Sequence, residues 1–129
     1  MKAVSIACLA GASLFIAASA FAADVGSEIT NAATHAGLAA KAADLNGVHM
    51  HMHHALNCLV GPGGDGFDAK QMNPCAQSGN GAIPDSTDAA KKAKLETAKT
   101  QLMQGIAATD LKAAQAAATS AQATIASAK

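Results

Sequence analysis

The sequence is poor in the side chains that usually build large cores. It contains no tryptophan, no tyrosine and no arginine, and Phe67 is the only aromatic residue after position 21. Alanine, leucine, isoleucine, valine and methionine must therefore form the core. A single aromatic side chain makes a poor pocket for haem, and the chain has no Cys-x-x-Cys-His motif for covalent haem attachment.

Strand patterns and catalytic motifs are also missing from the sequence. No segment alternates apolar and polar residues for long, and β-branched residues are few, whereas alanine favours helix. No Ser/His/Asp or Cys/His order typical of an activated nucleophile is present, and residues 65–68 lack the spacing and closing glutamate of a calcium loop. We therefore predict an all-α protein that is not an enzyme.

Charge of either sign is scarce and nearly balanced, with nine basic and nine acidic residues. This balance argues against nucleic acid as a partner. Residues 23–85 carry six acids and two lysines, whereas residues 86–129 carry three acids and six lysines. The asymmetry fits helical faces solvated by opposite charges, or an acidic half that helps to attract cations.

The chain begins like a secretory signal peptide. Lys2 supplies a positive charge, residues 3–18 are apolar but too short to span a bilayer, and Ala20-Phe21-Ala22 is a small-x-small cleavage site. We predict that residues 1–22 are removed and that residues 23–129 form a single domain. The product should be periplasmic or secreted, with no membrane attachment.

Two cysteines, Cys58 and Cys75, follow the signal segment, because Cys8 lies within it. An even number of cysteines in an oxidising compartment predicts one disulfide. The alternative is that Cys58, four residues after His54, ligates a metal as a thiolate.

Residues 61–85 divide the chain, since they hold all three prolines and most of the glycines after position 22. We predict helices over residues 25–46, 50–59, 86–104 and 110–128. They would form an antiparallel four-helix bundle of two helical hairpins joined by this disulfide-tied loop. The alternative is a three-helix bundle whose first helix continues through Gly47, which a helix interior tolerates at about 1 kcal/mol.

Four of the five histidines and two of the five methionines lie within six consecutive residues. Imidazole and thioether are uncharged ligands for late first-row metals, and thioether favours Cu(I). The candidate ligands are His49, Met50, His51, Met52, His53 and His54.

Helical geometry would place His49 and His53 on one face, and Met50 and His54 on another about 100° away. A third or fourth ligand could come from His35, from an aspartate or from Met52, although Met52 also fits a core position. The mixture of histidine and methionine predicts copper, with zinc and nickel as alternatives. A solvated or pH-sensitive helix end would explain the same histidines without a metal, and a structural bundle whose glycine-rich loop contacts a partner is the alternative function.

With its signal peptide, helical hairpins and His49–His54 cluster, the chain resembles the periplasmic small metal-binding proteins. The resemblance implies a His-rich four-helix bundle that takes up copper and other divalent metals. That family spreads histidines over all four helices, whereas this chain has none after His54. The difference favours one or two bound ions.

Overall fold

A computed structural model describes residues 22–129, so the predicted signal peptide lies outside the described residues except for its last position. The described part is entirely helical and has no strand, which confirms the all-α prediction. None of its helices has the length and hydrophobicity needed to cross a membrane. In chain order the helices are α1 (Val25–Lys41), α2 (Leu45–Val60), α3 (Ala82–Asp85), α4 (Ala89–Ala107) and α5 (Leu111–Ala126).

Each of the four long helices begins directly after an aspartate. In every case the carboxylate accepts a hydrogen bond of 2.8 or 2.9 Å from the backbone N–H three residues further on. This satisfies one of the N–H groups that an isolated helix start leaves without a partner. The capping residues are Asp24, Asp44, Asp88 and Asp110.

The first hairpin turns earlier than we predicted. The structure ends α1 at Lys41 and starts α2 at Leu45, so residues 42–44 form the turn. Gly47, where we placed the break, lies in the first turn of α2, and its N–H binds the Asp44 carboxylate. The alternative of one unbroken first helix is therefore wrong, because the Asp44 cap starts a new helix.

The later helix boundaries also differ from the prediction. We expected helices over residues 86–104 and 110–128, but the structure has Ala89–Ala107 and Leu111–Ala126. Ser86 instead caps the C-terminus of the short helix α3, and Asp88 provides the N-terminal cap of α4.

The long helices contact one another in pairs that are consistent with a bundle. α1 packs on α2 and α5, and α4 packs on the same two helices. Alanines fill much of the interface, which lets the helices approach closely. The largest apolar side chains that are fully buried are Ile29, Met52, Leu56, Leu59, Leu95, Leu102 and Ile125.

Residues 61–85 are held against α1 and α2 rather than projecting from the bundle. Cys58 and Cys75 form the predicted disulfide. The preceding residue, the buried Asn57, donates its side-chain amide towards the carbonyls of Asp68, Gln71 and Met72, and its oxygen accepts the N–H of Asp68. These contacts order the segment and bring Asp68 towards the histidines of α2.

Candidate metal centre

Three histidines meet at the seam between α1 and α2. His35 comes from the middle of α1, while His51 and His54 stand three residues apart on α2. Residues at this spacing share a helix face, and the turn at residues 42–44 folds that face back onto α1. Neighbouring positions on one helix and a short reversal of the chain therefore bring the three rings together.

The three rings are spaced for a shared ligand. Each histidine offers one ring nitrogen such that the three atoms lie within 4.8 Å of one another. The Nδ1 atoms of His35 and His51 are 3.3 Å apart. Two imidazole nitrogens bound tetrahedrally to a metal at about 2.0–2.1 Å would be separated by about 3.3 Å, so this pair already has the required spacing.

The third ring completes the group from the buried side. The His54 ring centre is 5.1 Å from that of His35 and 5.7 Å from that of His51, and its plane is nearly perpendicular to both. Only 6% of His54 is exposed, and its Nδ1 atom is buried without a hydrogen-bond partner. Buried polar atoms are normally satisfied, so this nitrogen is available to a ligand.

The surroundings favour the uncharged form of two of these histidines, His35 and His54. Burial lowers the pKa of His35, and the neighbouring His54 and His51 lower it further. Burial also lowers the pKa of His54, with additional effects from His51 and His53. Neutral imidazole is the form that binds metals, so the metal-free site is prepared for coordination near neutral pH.

The other predicted ligands lie around this group rather than in it. His49 donates its Nε2–H to the carbonyl of Ala108 at 3.0 Å, and His53 Nδ1 faces Asp68 Oδ2 at 3.7 Å. Met52 is fully buried, as a core position requires, whereas Met50 is 38% exposed. The structure thus brings His51 and His54 together with His35. Ligation by His49, Met50, Met52 and His53 stays a prediction.

His35 is the member of the group that sequence analysis gave least weight. It lies sixteen residues before His51 and outside the histidine-rich segment. The available signal was the short connection between the first two predicted helices. A tight turn there folds the middle of α1 against the middle of α2. Locating that turn at Asp44 would have identified His35.

Comparison of the chain with protein-family models, curated proteins and solved structures finds no match. The resemblance to periplasmic small metal-binding proteins therefore stays a prediction from the sequence. What the structure adds is a group of three histidines that could hold a metal ion.

Proposed function

We propose that this protein takes up or buffers one copper ion in the periplasm or outside the cell, using His35, His51 and His54 as ligands. Its helices would form the antiparallel four-helix bundle expected from the sequence. The observation that carries the proposal is the convergence of three imidazole nitrogens within 4.8 Å. The metal is cargo in this proposal, and the protein performs no catalysis.

Copper is favoured by the chemistry of the donors. Sites built from nitrogen ligands generally bind Cu(II) more tightly than Ni(II) or Zn(II), and imidazole also binds Cu(I). Met50 lies four residues before His54, which places the two side chains on neighbouring turns of α2. Its half-exposed thioether could supply a fourth, soft ligand for Cu(I).

Copper titration of the mature, disulfide-bonded protein tests the proposal. The parent should bind one equivalent, and His35→Ala and His54→Ala should each lower affinity at least about tenfold, because two ligands remain. His49→Ala is the matched control, since His49 lies on α2 but contacts Ala108 instead of the group. It should bind copper as the parent does.

Competition with zinc and nickel then identifies the preferred metal. Zinc or nickel that displaces copper at equal concentration would contradict the copper assignment. A parent that binds none of the three metals at micromolar levels would contradict the function itself. Equal losses in His35→Ala and His49→Ala would mean that a different set of histidines forms the site.

A cavity of about 470 Å³ between the loop and α4 supports the alternative interaction role. Val60, Ile83 and Pro84 contribute apolar surface, and Lys99 of α4 also lines it. A β-carbon at Gly63 would meet no neighbouring atom within 4 Å. Gly63 lines the cavity, and its β-carbon position is open, so a partner that docks there should bind Gly63→Leu more weakly.

A further inference from the structure

Glu28 is a carboxylate buried in α1 without a basic side chain to pair with it. Oε1 accepts a 2.9 Å hydrogen bond from the N–H of Gly81, whereas Oε2 is buried and has no hydrogen-bond partner. The residue has no exposed surface, and the ion pairs among residues 22–129 include none to Glu28. An ionised carboxylate in such a place needs a counter-charge, or else it takes up a proton.

Two acidic neighbours make this need greater. Burial raises the pKa of Glu28, the Gly81 N–H lowers it, and the negative charges of Asp85 and Asp24 raise it again. Among residues 22–129, no lysine or histidine forms an ion pair with Asp85 or Asp24 either. The side chains in this part of the chain therefore supply no paired cation for the three carboxylates.

The backbone of Ala23 lies at the same place. A β-carbon on Gly79 would stand 3.1 Å from the β-carbon of Ala23. The same added atom would stand 2.8 Å from Oε1 of Glu28 and even closer to Oδ2 of Asp85. Ala23 and the two carboxylates therefore surround one point of the loop backbone, and glycine at position 79 leaves room for them.

Cleavage after Ala22 would turn the nitrogen of Ala23 into an ammonium group. The N–H of Asp24 donates a 2.7 Å hydrogen bond to the carbonyl of Ser78, so the new chain end would stay on the loop. A terminal residue can turn about its Cα–C bond, which exchanges the positions of its α-nitrogen and β-carbon. An α-amino group has an ordinary pKa of about 7.7–8.0, so most of these groups are charged at pH 7.

We propose that the α-ammonium of Ala23, formed by cleavage after Ala22, is the counter-ion of Glu28, so that processing stabilises the fold. Asp85 also attracts the ammonium, but it is partly exposed, and water weakens that attraction. The uncleaved chain has a neutral amide at Ala23, which leaves Glu28 unpaired in the precursor. The inference rests on the cleavage site predicted from the sequence and is independent of copper binding.

Thermal unfolding at pH 7 of two chains that begin at Ala23, one with a free and one with an acetylated α-amino group, tests the pairing. Acetylation removes the charge and should lower the midpoint by about 5 °C, because a buried charge loses a hydrogen-bonded partner. Without the pair the sign reverses, since a positive charge just before a helix opposes the helix dipole. The parent chain thus tests the inference without any substitution.

Glu28→Gln, which retains an oxygen for the Gly81 N–H, identifies the partner of the ammonium. Acetylation should lower the midpoint of this variant by less than half as much as that of the parent, since the two changes remove the same interaction. Glu96→Gln changes an exposed carboxylate on α4 and is the matched control. It should show the full loss on acetylation.

The first residue of the secreted protein provides the second test. Its intact mass should correspond to a chain that begins at Ala23. Retention of residues 1–22 or another first residue would overturn the inference, as would a parent midpoint that acetylation leaves unchanged or raises. An equal fall in Glu28→Gln and the parent would assign the effect to another carboxylate and would also overturn it. Copper affinity should be the same in the free and acetylated chains, so the two proposals fail separately.

Discussion

Met50 and Met52 show how two residues of one type can have different roles on a single helix. Met52 is fully buried, and a β-carbon on Gly105 would collide with its thioether end. Met50 is 38% exposed and stands four residues before His54 on α2. Two residues correspond to about 200° around a helix, so the side chains face opposite ways. Of the two, Met50 is therefore the candidate for a soft ligand in the proposed copper site.

The pKa directions of the clustered histidines predict how the metal-free protein responds to acid. The pKa values of His35 and His54 are lowered in the folded protein, chiefly by burial. The unfolded chain therefore binds protons more readily than the folded protein, starting near the ordinary histidine pKa of about 6.5. The free energy of unfolding should fall as the pH drops from about 6.5 through the lower pKa values of the folded protein. Urea unfolding between pH 7.5 and 5 measures this loss.

Single substitutions show whether these histidines cause the loss. His35→Gln and His54→Gln should each make the stability less dependent on pH in this range. Glu28 has the opposite effect on the pH dependence. Burial raises its pKa, so its contribution to the free energy of unfolding declines as the pH rises above about 4.5. A slope that is unchanged in both histidine variants would mean that other groups govern acid sensitivity.

At the scale of the helices, the aspartate caps decide where each element begins. Asp44 is the cap with the greatest consequence for the site, because the start of α2 determines where His51 and His54 stand relative to His35. Its carboxylate accepts the Gly47 N–H at 2.8 Å. A cap is a local interaction that depends on the side chain at one position. Here the Asp44 cap, rather than Gly47, determines where the chain turns between α1 and α2.

Asp44→Ala should lower the free energy of unfolding by about 1 kcal/mol, the usual effect of removing a capping side chain. Asp44→Asn is the matched control, since asparagine caps a helix about as well as aspartate. Urea unfolding of the metal-free proteins measures both changes. Equal stabilities for Asp44→Ala and the parent would show that packing of the turn, rather than the cap, holds the start of α2.

In the molecule as a whole, three cross-connections hold residues 61–85 on the helices. The Cys58–Cys75 disulfide and the hydrogen bonds of Asn57 fasten the segment to α2. Glu28 fastens its far end to α1 through Gly81. Small alanine side chains bury little apolar surface each, so such connections contribute a larger share of stability than in a core rich in large residues.

Breaking the disulfide should lower the free energy of unfolding by about 3 kcal/mol, as expected for a closed loop of this length. The double variant Cys58→Ala, Cys75→Ala allows the measurement by urea unfolding without a reducing agent. Its copper affinity should stay close to that of the parent, because the three histidines lie on α1 and α2. A large loss of copper binding in a still-folded variant would show that the loop helps to form the metal site.

Features that depend on local chemistry could be predicted from composition and residue pattern alone. Alanine content and the missing strand patterns established the helical class, prolines and glycines marked residues 61–85, and the two remaining cysteines could pair only with each other. The concentration of histidines in residues 49–54 also identified the helix that carries the candidate site. These signals are readable because each arises from composition or from residues close together in the chain.

Which of those residues meet depends on how the helices pack, and the sequence pattern does not contain this information. His35 joins His51 and His54 because the chain turns at residues 42–44, whereas a turn at Gly47 would have changed the register of α1 against α2. Glu28 and Asp85 converge because the loop returns to α1 after the disulfide. Such contacts depend on where the helices start and how they pack. Moving a helix start by a few residues would turn every side chain of that helix to another face.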